Sequence, residues 1–191
     1  MTLDQLFELF AKARALTGHR DFVVIGSLSI LALEDSGGLP EDMTMSNDVD
    51  AYTREDPPRI FDLQAALGAD SDFHESRGYF LDPVSPHLPS LPDGWEARLN
   101  LVEQDGVRAW FLDPDDAAVS KYARGEPRDE RWIRSGILNG YISLPTILSR
   151  LRTTRFLDED ESLRAKQRAE ADRDWFEKIK ASRRRTLRGA K

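Results

Sequence analysis

The sequence predicts an α+β fold, with a small mixed sheet flanked by helices and a helical part at its C-terminal end. Three observations carry this. A buried apolar run, Phe22-Val23-Val24-Ile25, breaks at Gly26-Ser27, and a second strand-like stretch, Val49 to Tyr52, follows a helix-like segment and a loop. Two further strand-like stretches, 95–102 and 107–112, flank Glu103-Gln104-Asp105-Gly106, whose Asp-Gly pair is a strong hairpin signal. Beyond residue 113 only helical patterns remain.

Each element follows from local spacing. Leu3, Leu6, Phe7, Phe10, Ala13 and Leu16 recur at helical intervals, which predicts an amphipathic helix over 3–17 capped by Gly18. Ser27 is placed to cap a buried helix over 28–34, apolar on nearly every face, that ends in the Gly37-Gly38-Leu39-Pro40 loop. Pro57-Pro58 opens another helix. Between Asp70 and Gly94 the pattern is irregular, with Pro83, Pro86, Pro89 and Pro92 at every third position, and predicts a long loop on a cleft rim. Asp113 caps a helix over 114–123, Pro127 opens one reaching about Leu138, and Ser143 caps one over 144–153. From Glu159 to about Arg185 runs a long, charged helix with little to bury beyond Leu163, Ala169, Trp175, Phe176 and Ile179. It is expected to cross the surface or reach a partner chain.

Composition sets limits on function. A chain of 191 residues with 40% hydrophobic and 32% charged residues can bury one good core. No apolar stretch approaches the ~20 residues needed to span a bilayer. Met1-Thr2-Leu3-Asp4 lacks the basic-then-apolar pattern of a signal peptide, and there is no cysteine, so a cytoplasmic location is the expectation. Residues 158–191 hold 8 acidic and 11 basic residues, a balance of +3, against −10 for the remainder. The excess lies in Arg183, Arg184, Arg185, Arg188 and Lys191, either a solvated helix end or a contact for RNA or an acidic partner.

The chemistry concentrates in Ser46-Asn47-Asp48-Val49-Asp50-Ala51-Tyr52. On a strand, residues two apart share a face, so Asp48 and Asp50 project side by side while Val49 faces the core. Two adjacent carboxylates repel, and a hard divalent cation such as Mg²⁺ relieves them. The Gly26-Ser27 turn, at a helix start, suits a phosphate. Further on, Lys121 is a mobile cation suited to phosphate, and Asp129 can orient a hydroxyl or add a ligand. In Glu96-Ala97-Arg98-Leu99-Asn100 polar and apolar residues alternate as on a one-sided strand, which makes Glu96 a candidate third carboxylate and Arg98 a candidate triphosphate contact.

Taken in order, Gly26-Ser27, Asp48-x-Asp50, a hairpin, Asp113-Pro114-Asp115-Asp116, Lys121 and Arg128-Asp129 resemble the nucleotidyltransferase fold of the DNA polymerase β superfamily. More narrowly, the chain is similar to the AbiEii-like minimal nucleotidyltransferases of bacterial defence and toxin–antitoxin systems. The resemblance spans roughly residues 5–153 and leaves the last helix outside. It implies transfer of a nucleoside monophosphate from an NTP to a hydroxyl, such as one on tRNA, with a cognate antitoxin protein as partner. By that resemblance Asp48 and Asp50 bind Mg²⁺, Gly26 and Ser27 approach the triphosphate, and Lys121 and Asp129 complete the site. The expected organisation is a nucleotidyltransferase α/β core over 1–113, a helical lobe completing the site over 114–157, and a charged helix over 158–191. Two other readings fit parts of the pattern. One is a degenerate transferase fold that binds a protein partner through the last helix. The other is a nucleotide-sugar glycosyltransferase, which also holds a metal on Asp-x-Asp but usually needs a longer chain.

Overall fold

The computed structural model describes residues 1–34 and 38–189; Gly37 of the expected loop and Lys191 of the basic end lie outside the described residues. The chain opens with helix α1 (Leu3–Thr17), whose Thr2 and Gln5 form a reciprocal capping box and whose Gly18 closes the C-terminus at φ 79°. Strand β1 (Asp21–Val24) follows, then a 3₁₀ turn over Ser27–Leu33, the short helix α2 (Glu41–Thr44) and strand β2 (Asp48–Thr53). A second 3₁₀ turn (Pro57–Leu63) leads into α3 (Gln64–Leu67), α4 (Asp72–Arg77) and strand β3 (Phe80–Pro83). After a 3₁₀ turn at Trp95–Arg98 come the hairpin strands β4 (Asn100–Gln104) and β5 (Val107–Phe111), then helices α5 (Pro114–Arg124), α6 (Pro127–Asn139), α7 (Leu144–Arg150) and α8 (Glu159–Gly189).

The five strands form one mixed sheet in the order β3-β2-β1-β5-β4. β1 runs antiparallel to β2 and parallel to β5, β2 runs parallel to β3, and β4 and β5 are antiparallel. The β4–β5 turn is the two-residue type that Asp-Gly predicts, with Asp105 at φ 51° and Gly106 at φ 75°. Pleating sends Phe22, Val24, Val49 and Ala51 to one face, where Phe22 stacks on Phe10 of α1 with ring centroids 4.5 Å apart. Asp48 and Asp50 take the opposite face of β2.

Four expectations need correction. The stretch between Asp70 and Gly94 is no long loop, because it holds α4 and β3. Ser71 caps α4 by accepting from the His74 N–H, and Pro83 is tolerated because it ends an edge strand. The expected strand over 95–102 begins only at Asn100, since Gly94 at φ 73° turns the chain into a 3₁₀ segment that takes Glu96 and Arg98 off the sheet. The segment after Ser27 is 3₁₀ rather than α, and Ser27 caps nothing: Gly26 holds the cap position without a side-chain bond. Its burial is as expected, with Leu28, Ile30 and Leu31 inside. Finally, α8 crosses the surface, the first of the two expectations for it, but Leu163 is not among the residues it buries. It packs on α5 and α7 with Ala165, Ala169 and Asp172 buried, while Leu163 faces solvent.

Candidate active site

The site begins with Asp50, in the middle of β2. Its carboxylate lies against Gly26, where an added Cβ would sit 1.6 Å from Asp50 Oδ2, so only glycine leaves room. The backbones of β1 and β2 meet there as well, the Ile25 N–H donating to the Asp50 carbonyl at 3.0 Å. Asp48 shares the face of Asp50, and the Ser46 hydroxyl donates to its Oδ1. The parallel pairing of β2 with β3 sets Asp82 directly opposite Asp50. Asp48, Asp50 and Asp82 each offer an oxygen within 4.8 Å of the others.

Three carboxylates this close conflict electrostatically. Burial, together with the charges of Asp48 and Asp82, pushes the Asp50 carboxyl up to about 6, against the pull of Lys121 and Arg124. Burial and Asp48 also raise Asp82. A divalent cation relieves such a cluster, and an all-oxygen donor set suits a hard ion. The residues therefore fit a metal of that class.

The cationic side comes from the helices. Lys121, in the last turn of α5 and 5% exposed, donates from Nζ to Ser27 Oγ at 2.9 Å and reaches Asp129 Oδ1 at 3.4 Å, with the Trp132 ring centroid 4.8 Å away. Burial pulls its ammonium below the usual lysine range, with Asp129 opposing. Asp129, at the first turn of α6, is saturated. It accepts from Arg124 Nε at 3.0 Å, from Arg124 Nη2 at 2.6 Å and from the Glu126 N–H at 3.0 Å. Those donors hold its carboxyl below the ordinary range despite burial. Asp129 thus faces Lys121 and Arg124 and belongs to their group, not to the aspartate cluster.

Gly26, Asp50, Lys121 and Arg124 line one cleft of about 290 Å³. Its other walls are apolar at Val84, Leu88, Pro89, Ala117 and Ala123, with Ser90, Ser120 and Glu161 as further polar groups. The arrangement is anionic and metal-ready at one end, cationic beside it and partly apolar beyond, which matches a nucleoside triphosphate in outline. Because the Ser27 segment is a short 3₁₀ turn, its dipole contributes little, and the positive charge falls to Lys121 and Arg124.

Asp48, Asp50, Gly26, Ser27, Lys121 and Asp129 are thus brought into one neighbourhood. Glu96 and Arg98 are not. Glu96 lines a separate surface depression with Asp93, Trp95 and Arg155. Arg98 is spent on Asp116, Nε to Oδ2 at 2.8 Å and Nη2 to Oδ1 at 3.1 Å, in a network that Arg150 completes. Two site groups escaped the sequence reading, Asp82 and Arg124. The faint signal for Asp82 was the apolar–acidic step Phe80-Leu81-Asp82, and for Arg124 its place one helical turn after Lys121.

The family described as a nucleotidyltransferase of unknown function (DUF6036) matches residues 4–183. The chain belongs to that family. No curated protein and no solved structure matches. The family match takes in every strand, the aspartate cluster and most of α8, and the five-stranded mixed sheet with its helical C-terminal part is consistent with a nucleotidyltransferase fold. Membership implies an NTP substrate, and among the described residues no helix is long and apolar enough to cross a membrane.

Proposed function

We propose that the chain is a Mg²⁺-dependent nucleotidyltransferase of the AbiEii-like kind. It moves a nucleoside monophosphate from an NTP to a hydroxyl on an RNA such as tRNA, breaking the α–β phosphoanhydride bond and releasing pyrophosphate, in the cytoplasm, as a toxin neutralised by a cognate protein. The observation that carries the transferase chemistry is the convergence of Asp48, Asp50 and Asp82 beside Lys121 and Arg124. Asp48 and Asp50, joined by Asp82, would hold the metal, which when bound supplies neutralisation of the attacking and leaving oxygens. Gly26 leaves the backbone open to the triphosphate, and Ser27, Lys121 and Arg124 provide donors to its oxygens. Asp129 keeps the two cationic side chains aimed and ionised. Asp82, on the edge strand β3, is placed to take the acceptor hydroxyl's proton on a carboxylate oxygen. In this reading residues 114–157 are a lobe that completes the site, and most of the rate comes from positioning and electrostatics.

Incubation with each α-labelled NTP, Mg²⁺ and total RNA tests this reading. The expected result is label on RNA with one preferred nucleotide, lost in Asp48→Ala and Asp50→Ala. Label on no macromolecule, together with no heat on titrating NTP and Mg²⁺, would overturn it.

A further inference from the structure

Helix α8 contributes no residue to the aspartate cluster, yet its side chains grip the two helices that supply the cationic side of the cleft. Ala165 and Ala169, fully buried, let its backbone approach α5 closely. Between them Arg168 reaches the end of α5, where Nη1 donates to the Tyr122 carbonyl at 2.8 Å and to the Ala123 carbonyl at 3.3 Å. An α-helix leaves its last carbonyls without partners, and a cation there also meets the negative end of the helix dipole. The Lys121 carbonyl is answered separately by the Gly125 N–H at 2.8 Å. Gly125 gives the guanidinium its place, since a Cβ on it would stand 2.1 Å from Arg168 Cζ.

One helical turn further, Asp172 joins α5 to α6. It is 4% exposed and accepts from the Tyr122 hydroxyl at 2.9 Å and from Arg134 Nε at 2.8 Å, one bond to each oxygen. Arg134 also lies 4.8 Å from the centre of the Trp175 ring on α8. The last turn of α5 carries Lys121 and Arg124, and the first turn of α6 carries Asp129. Arg168 and Asp172 thus grip the turn that carries Lys121 and Arg124 directly, while Asp172 ties down α6 at Arg134, more than a turn beyond Asp129.

We propose that Arg168, assisted by Asp172, is a positioning residue of the nucleotide site: it fixes the last turn of α5 so that Lys121 and Arg124 aim into the cleft. This rests on the nucleotidyltransferase reading given above. Arg168 touches no substrate in this scheme, so its effect on binding must pass through Lys121 and Arg124. A residue that merely stabilised the fold would lower the melting temperature without that dependence.

The test uses the full chain with Mg²⁺ and a non-hydrolysable NTP analogue in calorimetry. Arg168→Ala is expected to weaken binding about tenfold, Arg168→Lys to recover most of it, and Arg168→Ala to add little once Lys121 and Arg124 are both alanine. Amide hydrogen exchange gives a readout without nucleotide: amides 121–125 should exchange faster in Arg168→Ala while the strands keep their protection. Tyr122→Phe removes one hydroxyl without opening a cavity, and should act in the same direction if Arg168→Ala does not fold. Unchanged exchange at 121–125 overturns the positioning role whether or not the chain binds nucleotide. So does a binding loss that persists at full size in the Lys121, Arg124 double-alanine background. If the wild-type chain itself ignored the analogue, the functional reading would fall and this proposal with it.

Discussion

Asp50 carries a cost that the fold creates on purpose of geometry. Gly26 admits its carboxylate, β3 sets Asp82 opposite, and burial does the rest, so the carboxyl is pushed up to about 6. Below about pH 4 Asp50 is protonated in both folded and unfolded chains and imposes no penalty. Between there and pH 6 the folded chain keeps a proton that the unfolded chain has released, so metal-free stability falls as pH rises. Above pH 6 the full penalty is present, about 3 kcal/mol for a shift of about two units. Asp50→Asn never ionises. In EDTA at pH 8 it should melt about 5 °C or more above the wild type, at ~2–4 °C per kcal/mol for a chain of this size, and the gain should vanish near pH 4. Scanning fluorimetry across that range checks it, and no gain at pH 8 would mean that Asp50 is not strained by its neighbours. A divalent cation competes with the same proton, so its affinity should rise through pH 6 in the wild type.

At the level of elements, the third carboxylate is where sequence and structure part. A strand of four residues ending in proline has too short a period to stand out, and its place beside β2 is set by long-range parallel pairing. Glu96 looked better because residues 96–101 alternate polar and apolar, but Gly94 and the 3₁₀ turn break that register before the strand begins. Asp82→Asn should therefore weaken Mg²⁺-dependent nucleotide binding tenfold or more, while Glu96→Gln leaves it unchanged. Calorimetry on both variants decides, and the reverse pattern would restore Glu96. Elements with strong local signals were legible: α1 by its spacing and Gly18, the hairpin by Asp105-Gly106, and α5 by Asp113, whose side chain accepts from the Asp115 N–H. For the site, Asp48 and Asp50 could be read from a two-residue spacing. The bond of Lys121 to Ser27, 94 positions away, could not, because nothing local to either residue specifies it.

The whole molecule is less divisible than its charge pattern suggests. Residues 158–191 read as a long charged helix outside the resemblance, yet the family match continues to residue 183 and α8 packs along α5 and α7. Removing it would strip the Tyr122 hydroxyl of its acceptor, leave Arg134 only Glu130, take Arg168 from the end of α5 and expose the surface that Ala165 and Ala169 cover. Each buried polar group left unpaired costs about 1–3 kcal/mol, and the lost apolar burial adds to that. A domain's whole stability is only ~5–15 kcal/mol, so the loss is comparable to everything that holds the fold. Truncation after Leu157 should give an insoluble chain or one without a cooperative melt. Truncation after Ser182 removes Arg183, Arg184 and Arg185, all exposed, and should melt within a few degrees of the full chain. Circular dichroism melts of the two truncated chains separate the views. A soluble, cooperatively folding 1–157 fragment would show that α8 is an appendage after all, and that the α5–α6 lobe orders itself without it.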